Sequence, residues 1–150
     1  MSEHEALIEW RSDGHFADGG YSRGHDWTFD GGAVVRGSSS PSVVPPPRSD
    51  PAGVDPEEAL IASASSCHLL WFLSLAQAAG LDIASYRDRA TGTLGRDERG
   101  KIAITRIVLR PEIEFAGRRP DEAELRRLHD EAHDKCFIAN SLRSEVVVEG

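Results

Sequence analysis

The stretch DPEEALIASASSCHLLWFLSLAQAAG, residues 55–80, decides how the chain is built. Asp55 is a good N-cap, Pro56 suits the first helical position, and Glu58 stands three residues after Asp55 as in a capping box. No breaker follows from Ala59 to Ala79, and Gly80 supplies a residue that tolerates a left-handed stop. The stretch therefore reads as one long helix. Its composition is apolar on nearly every face, which predicts a central helix buried all round. It is long enough to cross a bilayer, but four Ser, one His and one Gln, with no basic residues at its flanks, argue for a core helix instead.

Working outward, the N-terminal third reads as extended. Ala6, Ile8 and Trp10 alternate with Leu7 and Glu9. HDWTFDGG (25–32) carries Trp27 and Phe29 into a Gly-Gly turn, and AVVRG (33–37) returns as a further strand. The segment 37–56, GSSSPSVVPPPRSDPAGVDP, holds six of the eight prolines. Too few residues precede it for a separate core, so it reads as a long ordered loop inside a single domain spanning 1–150. Beyond Gly80, residues 82–95 read as a strand. KIAITRIVLRPEIEF (101–115) reads as one long strand with Ile107, Leu109, Ile113 and Phe115 on one face, Pro111 marking an edge or bulge. GRRPDEAELRRLHDEAHDKC (117–136) is an amphipathic helix with Leu125, Leu128, Ala132 and Cys136 on its apolar stripe. SEVVVE (144–149) closes as a strand. This order is α+β, not a repeating βαβ pattern.

The 150 residues suit one domain with a real core. A net charge of −8 argues against nucleic acid or an anionic membrane surface as the main partner, since both require a basic face. Two cysteines, Cys67 and Cys136, are too few for a disulfide-rich secreted framework. The opening MSEHEALIEW lacks the basic segment and apolar run of a signal peptide, so the expected compartment is the reducing cytoplasm.

The two thiols admit three readings. Each is a small core hydrophobe, or the two form a redox pair, one attacking and one resolving, or Cys136 joins His129 and His133 as metal ligands on one helix face. HDEAH (129–133) departs from the zinc-protease HExxH, because Asp130 replaces the required glutamate. Spacing alone does not show that the thiols meet. A buried thiol needs a cation or a helix N-terminus to become a nucleophile, and Cys67 lies too far into its helix to feel the N-terminal dipole. In YSRGHDW (21–27), Arg23 and His25 would alternate onto one strand face and are the candidates.

DPEEALIASASSCHLLWFLSLA (55–76), followed by LHDEAHDKCFIANSLRSEV (128–146), resembles the two cysteine signatures of the OsmC/Ohr family, the osmotically inducible and organic hydroperoxide resistance proteins. The likeness runs from YSRGHDWTFDGG (21–32) to the C-terminal strand. It implies the OsmC-like α+β fold, antiparallel sheets around a long buried helix, with two subunits intertwined as a homodimer. It also implies that Cys67 is the peroxidatic cysteine, Cys136 the resolving one, Arg23 the activating cation and Glu57 its partner. The implied reaction reduces an organic hydroperoxide to an alcohol. An external dithiol, lipoyl-linked in some members, restores the thiols, and no metal or organic cofactor is required.

Two physical points bear on that carry-over. Glu57 and Cys67 are ten residues apart, roughly 15 Å along a continuous helix, so either the helix is interrupted or Glu57 serves the partner subunit. His68 stands where hydroperoxide-resistance members usually place an aromatic. Leu70, Trp71 and Phe137 near the thiols favour an apolar organic peroxide over hydrogen peroxide. The alternative from a different class is a non-catalytic protein on the same fold, holding a small ligand, its cysteines structural.

Overall fold

The alternation of the N-terminal third becomes a three-stranded antiparallel sheet, β1 (Ala6–Glu9), β2 (His25–Phe29) and β3 (Val34–Gly37), in that order. Gly37 is dictated by crowding: a Cβ there would run into the rings of Trp27 and His25 on the facing strand. The proline-rich loop that follows is ordered, as expected, because both ends are tied by hydrogen bonds. The buried Ser38 accepts at its hydroxyl from the Asp50 N–H (2.9 Å) and donates its own N–H to the Val54 carbonyl (3.0 Å). The Val54 N–H in turn donates to the Arg36 carbonyl at 2.8 Å. The structure, a computed structural model, describes residues 1–150, which form two compact units, Met1–Ala59 and Leu60–Gly150.

Helix α1 (Pro56–Ala78) is unbroken over 23 residues. Its capping box is complete: the Glu58 N–H donates to Asp55 Oδ1 and the Asp55 N–H to Glu58 Oε1, both at 2.8 Å. At the other end Gly80 takes φ 78°. Its N–H reaches the Gln77 carbonyl (3.1 Å) and that of Leu81 the Ala76 carbonyl (3.0 Å), the two bonds of a Schellman stop.

The expectation of burial all round is corrected. Within the chain α1 is buried along one stripe, Ala64, His68, Phe72 and Ala76, at successive four-residue steps. Leu70 remains 63 % exposed and Leu73 37 %. Beside that stripe, Ile61, Cys67, Trp71 and Leu75 are only partly covered.

In the second unit, residues 82–95 divide into β4 (Ile83–Asp88) and β5 (Thr91–Arg96). The long strand 101–115 divides likewise, into β6 (Ile102–Leu109) and β7 (Pro111–Phe115). The break falls at Arg110, whose N–H donates to Asp88 Oδ1 (2.6 Å), while the Ser65 hydroxyl of α1 donates to the other oxygen of that carboxylate. Proline lacks the N–H to continue a ladder, and the two pieces enter different sheets. β4 pairs with β7, and β6 lies between β5 and β8 (Glu145–Val148), antiparallel to the first and parallel to the second. Helices α2 (Glu122–Lys135) and α3 (Phe137–Ser141) connect β7 to β8. One core cluster packs Phe72 and Ala76 of α1 against Leu128 and Ala132 of α2, over Tyr86, Ile113 and Phe115. A second sets Ala64 against Ile107 and Leu109.

Candidate active site

Cys67 precedes the buried His68 on α1, so it stands about 100° around the helix from the core stripe and is partly accessible. Cys136 was expected on the apolar stripe of α2, but that helix ends at Lys135. Cys136 is extended (φ −67°, ψ 109°) and serves as C-cap of α2 and N-cap of α3. Its Sγ accepts from the Ala139 N–H at 3.4 Å, and the side chain is buried. Burial pushes the Cys136 thiol above its ordinary pKa; the Ala139 N–H opposes this, and the adjoining Cys67 thiol adds to it. Both cysteines are free. The structure thus brings the two sequence-expected thiols together and makes them unequal, one open and one buried in its protonated form.

The open thiol lines a cavity of about 310 Å³ with Leu70, Trp71, Ser74 and Phe137. Trp71 and Phe137 meet edge-to-face at 5.6 Å, and Lys135 Nζ lies 5.6 Å from the Trp71 ring centre. The wall is apolar and aromatic, with one cation at its margin.

The metal reading of α2 fails on geometry. No three His, Cys, Asp or Glu side chains gather as a ligand set. His133 is exposed, whereas His129 turns into the core and meets His68 of α1. His68 Nε2 and His129 Nδ1 are 3.0 Å apart, the rings stack at 5.3 Å and 11°, and the residues are 1 % and 2 % exposed. Phe72 stacks on His129 at 4.4 Å.

Burial, with His133 adding to it against Asp88, lowers His68 to about 4. Burial, His68 and Arg126, opposed by Asp130, lower His129 to about 4. The pair is therefore neutral at pH 7, with one N–H on each ring, and one of these two protons forms the hydrogen bond between them. His68 Nδ1 is buried without a partner, as is the nearby Tyr86 hydroxyl. Orphaned buried N–H groups are rare, so the favoured arrangement has His68 Nε2–H donating to His129 Nδ1, with a bare lone pair on His68 Nδ1. Sequence reading missed this pair. Its only signal was His68 at helical spacing between Ala64 and Phe72, and His129 four residues after Leu125.

The other two expected site residues lie in the first unit. Arg23 precedes β2 rather than lying on it. Its guanidinium carbon lies over the Tyr21 ring, 3.6 Å from the ring centre, and its Nη1 donates to the Tyr21 carbonyl at 2.6 Å. It faces a cavity of about 340 Å³ walled by Trp10, Phe16 and Tyr21. His25 holds this turn: its Nδ1–H donates to the Arg23 carbonyl (2.7 Å), and its Nε2 accepts from the Trp27 indole (2.8 Å). Glu57, in the first turn of α1, is half-buried, and its Oε2 has no partner. Arg23 and Glu57 form no ion pair with each other in the chain.

The model of the OsmC-like protein family matches residues 49–149. The chain belongs to the OsmC-like family. An OsmC-like protein of unknown function from Vibrio cholerae is 48% identical, with 99% of each chain covered and a TM-score of 0.97. An organic hydroperoxide resistance protein from Elizabethkingia anophelis, solved with thiocyanate from the crystallant, has a TM-score of 0.72 at 16% identity, covering 100% of this chain and 97% of that one. The organic hydroperoxide resistance protein OhrB of Bacillus subtilis gives 0.66 at 16%, covering 99% and 96%. At such identity these last two establish the fold alone. No curated protein sequence matches significantly. The OsmC-like α+β fold implied by the cysteine signatures is the observed one.

Proposed function

We propose that this OsmC-like protein is a thiol-dependent peroxidase that reduces organic hydroperoxides to alcohols. The observation that carries the reading is the inequality of two adjoining thiols, Cys67 open to an apolar cavity and Cys136 buried and held protonated. In the first step the Cys67 thiolate attacks the distal peroxide oxygen. The O–O bond breaks, the alkoxide takes a proton and leaves as alcohol, and sulfur becomes a sulfenic acid. Cys136 then attacks that sulfur, water leaves, and a disulfide forms. An external dithiol returns both electrons by exchange and departs as its own disulfide. The aromatic wall of Trp71 and Phe137 favours an organic peroxide over hydrogen peroxide. Arg23 is the cation assigned to the thiolate.

The reading extends to a homodimer. Leu70, Leu73 and Phe137 are exposed apolar groups, and Glu57 Oε2 is buried and unpartnered; a second copy would cover the former and complete the latter. Because α1 is unbroken between Glu57 and Cys67, the carboxylate serves the other copy. The supply of dithiol fits the cytoplasm.

The test is mass spectrometry after one equivalent of cumene hydroperoxide, followed by turnover with dithiol. Wild type loses two mass units as Cys67 and Cys136 join. Cys67→Ser loses turnover by about a thousand-fold or more, Cys136→Ser stops at the sulfenic acid, and Arg23→Ala slows the first step by about a hundred-fold. Unchanged thiols would sink the proposal and favour the binding-protein reading, for which the aromatic cavity beside Arg23 is the specific support.

A further inference from the structure

Helix α1, which carries Cys67, and helix α2, which Cys136 caps, are joined in the core by a polar contact, His68 to His129. Cys67 is the residue before His68 on α1. Cys136 follows His129 by seven residues, just past the end of α2 at Lys135, where it caps both α2 and α3. Around the contact the packing is apolar: Phe72 stacks on His129, and Ala76, Leu128 and Ala132 complete the cluster. Apolar contacts are non-directional and tolerate sliding of one helix along another, whereas a 3.0 Å hydrogen bond between stacked rings fixes both register and rotation. A disulfide tolerates little error, since its Cα atoms must lie about 4.4–6.8 Å apart.

We propose that His68 and His129 are positioning residues that hold α1 and α2 in the register from which Cys67 and Cys136 close their bridge. They act through the helices and touch no substrate. The proposal rests on the reading of the two thiols as a redox pair, yet is independent of which oxidant acts. The His68 Nδ1 left without a partner supports it. An apolar ring in that place would leave nothing unsatisfied, and what it would lose is the directional bond.

Glutathione disulfide separates the relevant steps without any peroxide. In the first, the Cys67 thiolate attacks one glutathione sulfur, forming a mixed disulfide and releasing a glutathione thiolate. In the second, Cys136 loses its proton and attacks Cys67 Sγ, expelling the second glutathione thiolate and closing the bridge. Alkylation and mass spectrometry count each species over time.

Two variants are compared with wild type. His129→Leu removes the bond. His68→Gln combined with His129→Asn places an amide N–H where His68 Nε2 stands and a carbonyl oxygen where His129 Nδ1 stands, restoring the bond without an imidazole. The expected result for His129→Leu is a first step within about two-fold of wild type and a closure slowed about ten-fold or more. The double variant should close within about three-fold of wild type.

Wild-type closure in His129→Leu overturns the proposal, as does slow closure in a folded double variant. If His129→Leu does not give a cooperative melt, the double variant decides alone. If neither variant folds, the pair is purely structural and the proposal fails. A parallel arm with cumene hydroperoxide keeps the two readings apart. Bridge closure with glutathione disulfide but none with peroxide would remove the peroxidase and leave the positioning role standing.

Discussion

His25 in the N-terminal unit and His68 in the C-terminal unit occupy opposite kinds of polar environment. His25 is half-buried and uses both ring nitrogens, donating a hydrogen bond to the Arg23 carbonyl and accepting one from the Trp27 indole. His68 is fully buried, with one nitrogen engaged and one without a partner, and the unpartnered Tyr86 hydroxyl lies in the same part of the core. The first arrangement is satisfied at every atom and explains itself: it holds the turn that presents Arg23. The second retains unmatched polar atoms, each costing about 1–3 kcal/mol. What distinguishes the regions is the number of partners available, which is many near the surface and one in the core.

The largest effect should come from the ring beneath the pair. Phe72 is fully buried and stacks on His129, so Phe72→Ala should lower stability by about 4 kcal/mol in denaturant unfolding. A loss below about 1 kcal/mol would mean that the histidine contact, not the apolar cluster, holds this region.

Acid should act next. Both imidazoles titrate near 6.5 when unfolded and near 4 when folded, so between these values the unfolded chain binds more protons. Stability is therefore complete above about pH 6.5, falls as pH drops toward 4, and gains no further loss from this pair below that. A displacement of that size amounts to something on the order of 3 kcal/mol for the first proton. Urea melts at pH 7, 5.5 and 4.5 would measure it, and the His68→Gln/His129→Asn variant should lack this slope. Equal slopes in both proteins would deny the pair its distinctive chemistry.

A smaller effect belongs to the other region. Gly37→Ala drives a methyl into the Trp27 and His25 rings and should cost about 2 kcal/mol. The tryptophan near-UV circular dichroism should change with it. An unaltered spectrum together with wild-type stability would show that the two rings make room for the methyl without strain.

Much of this was legible from local chemistry. The capping box at Asp55 and Glu58 and the stop at Gly80 are contained in a few consecutive residues, and both formed as read. The two cysteine signatures singled out Cys67 and Cys136, which the fold sets beside each other. Burial of α1 was not legible, because a helix apolar on every face carries no mark of which face its own chain covers. The division of 101–115 depended on Asp88 capturing the Arg110 N–H from twenty-two residues away, and a uniformly apolar alternation conceals such a break. The departure of Cys136 from α2 turns on one backbone angle. His68 and His129 are sixty-one residues apart, and their pairing follows from helix packing that no local pattern encodes.

The sulfur of Cys136 is also the cap of a five-residue helix. A helix that short has little cooperativity of its own and depends on whatever satisfies its first amides. Under the proposed mechanism, drawing that sulfur into a bond with Cys67 would weaken it as an acceptor for the Ala139 N–H. Oxidation would then loosen residues 137–141, where Phe137 forms part of the wall beside Cys67. Electron count would thereby be coupled to local chain order, and the bridge would meet its reductant through the segment it had itself unsettled.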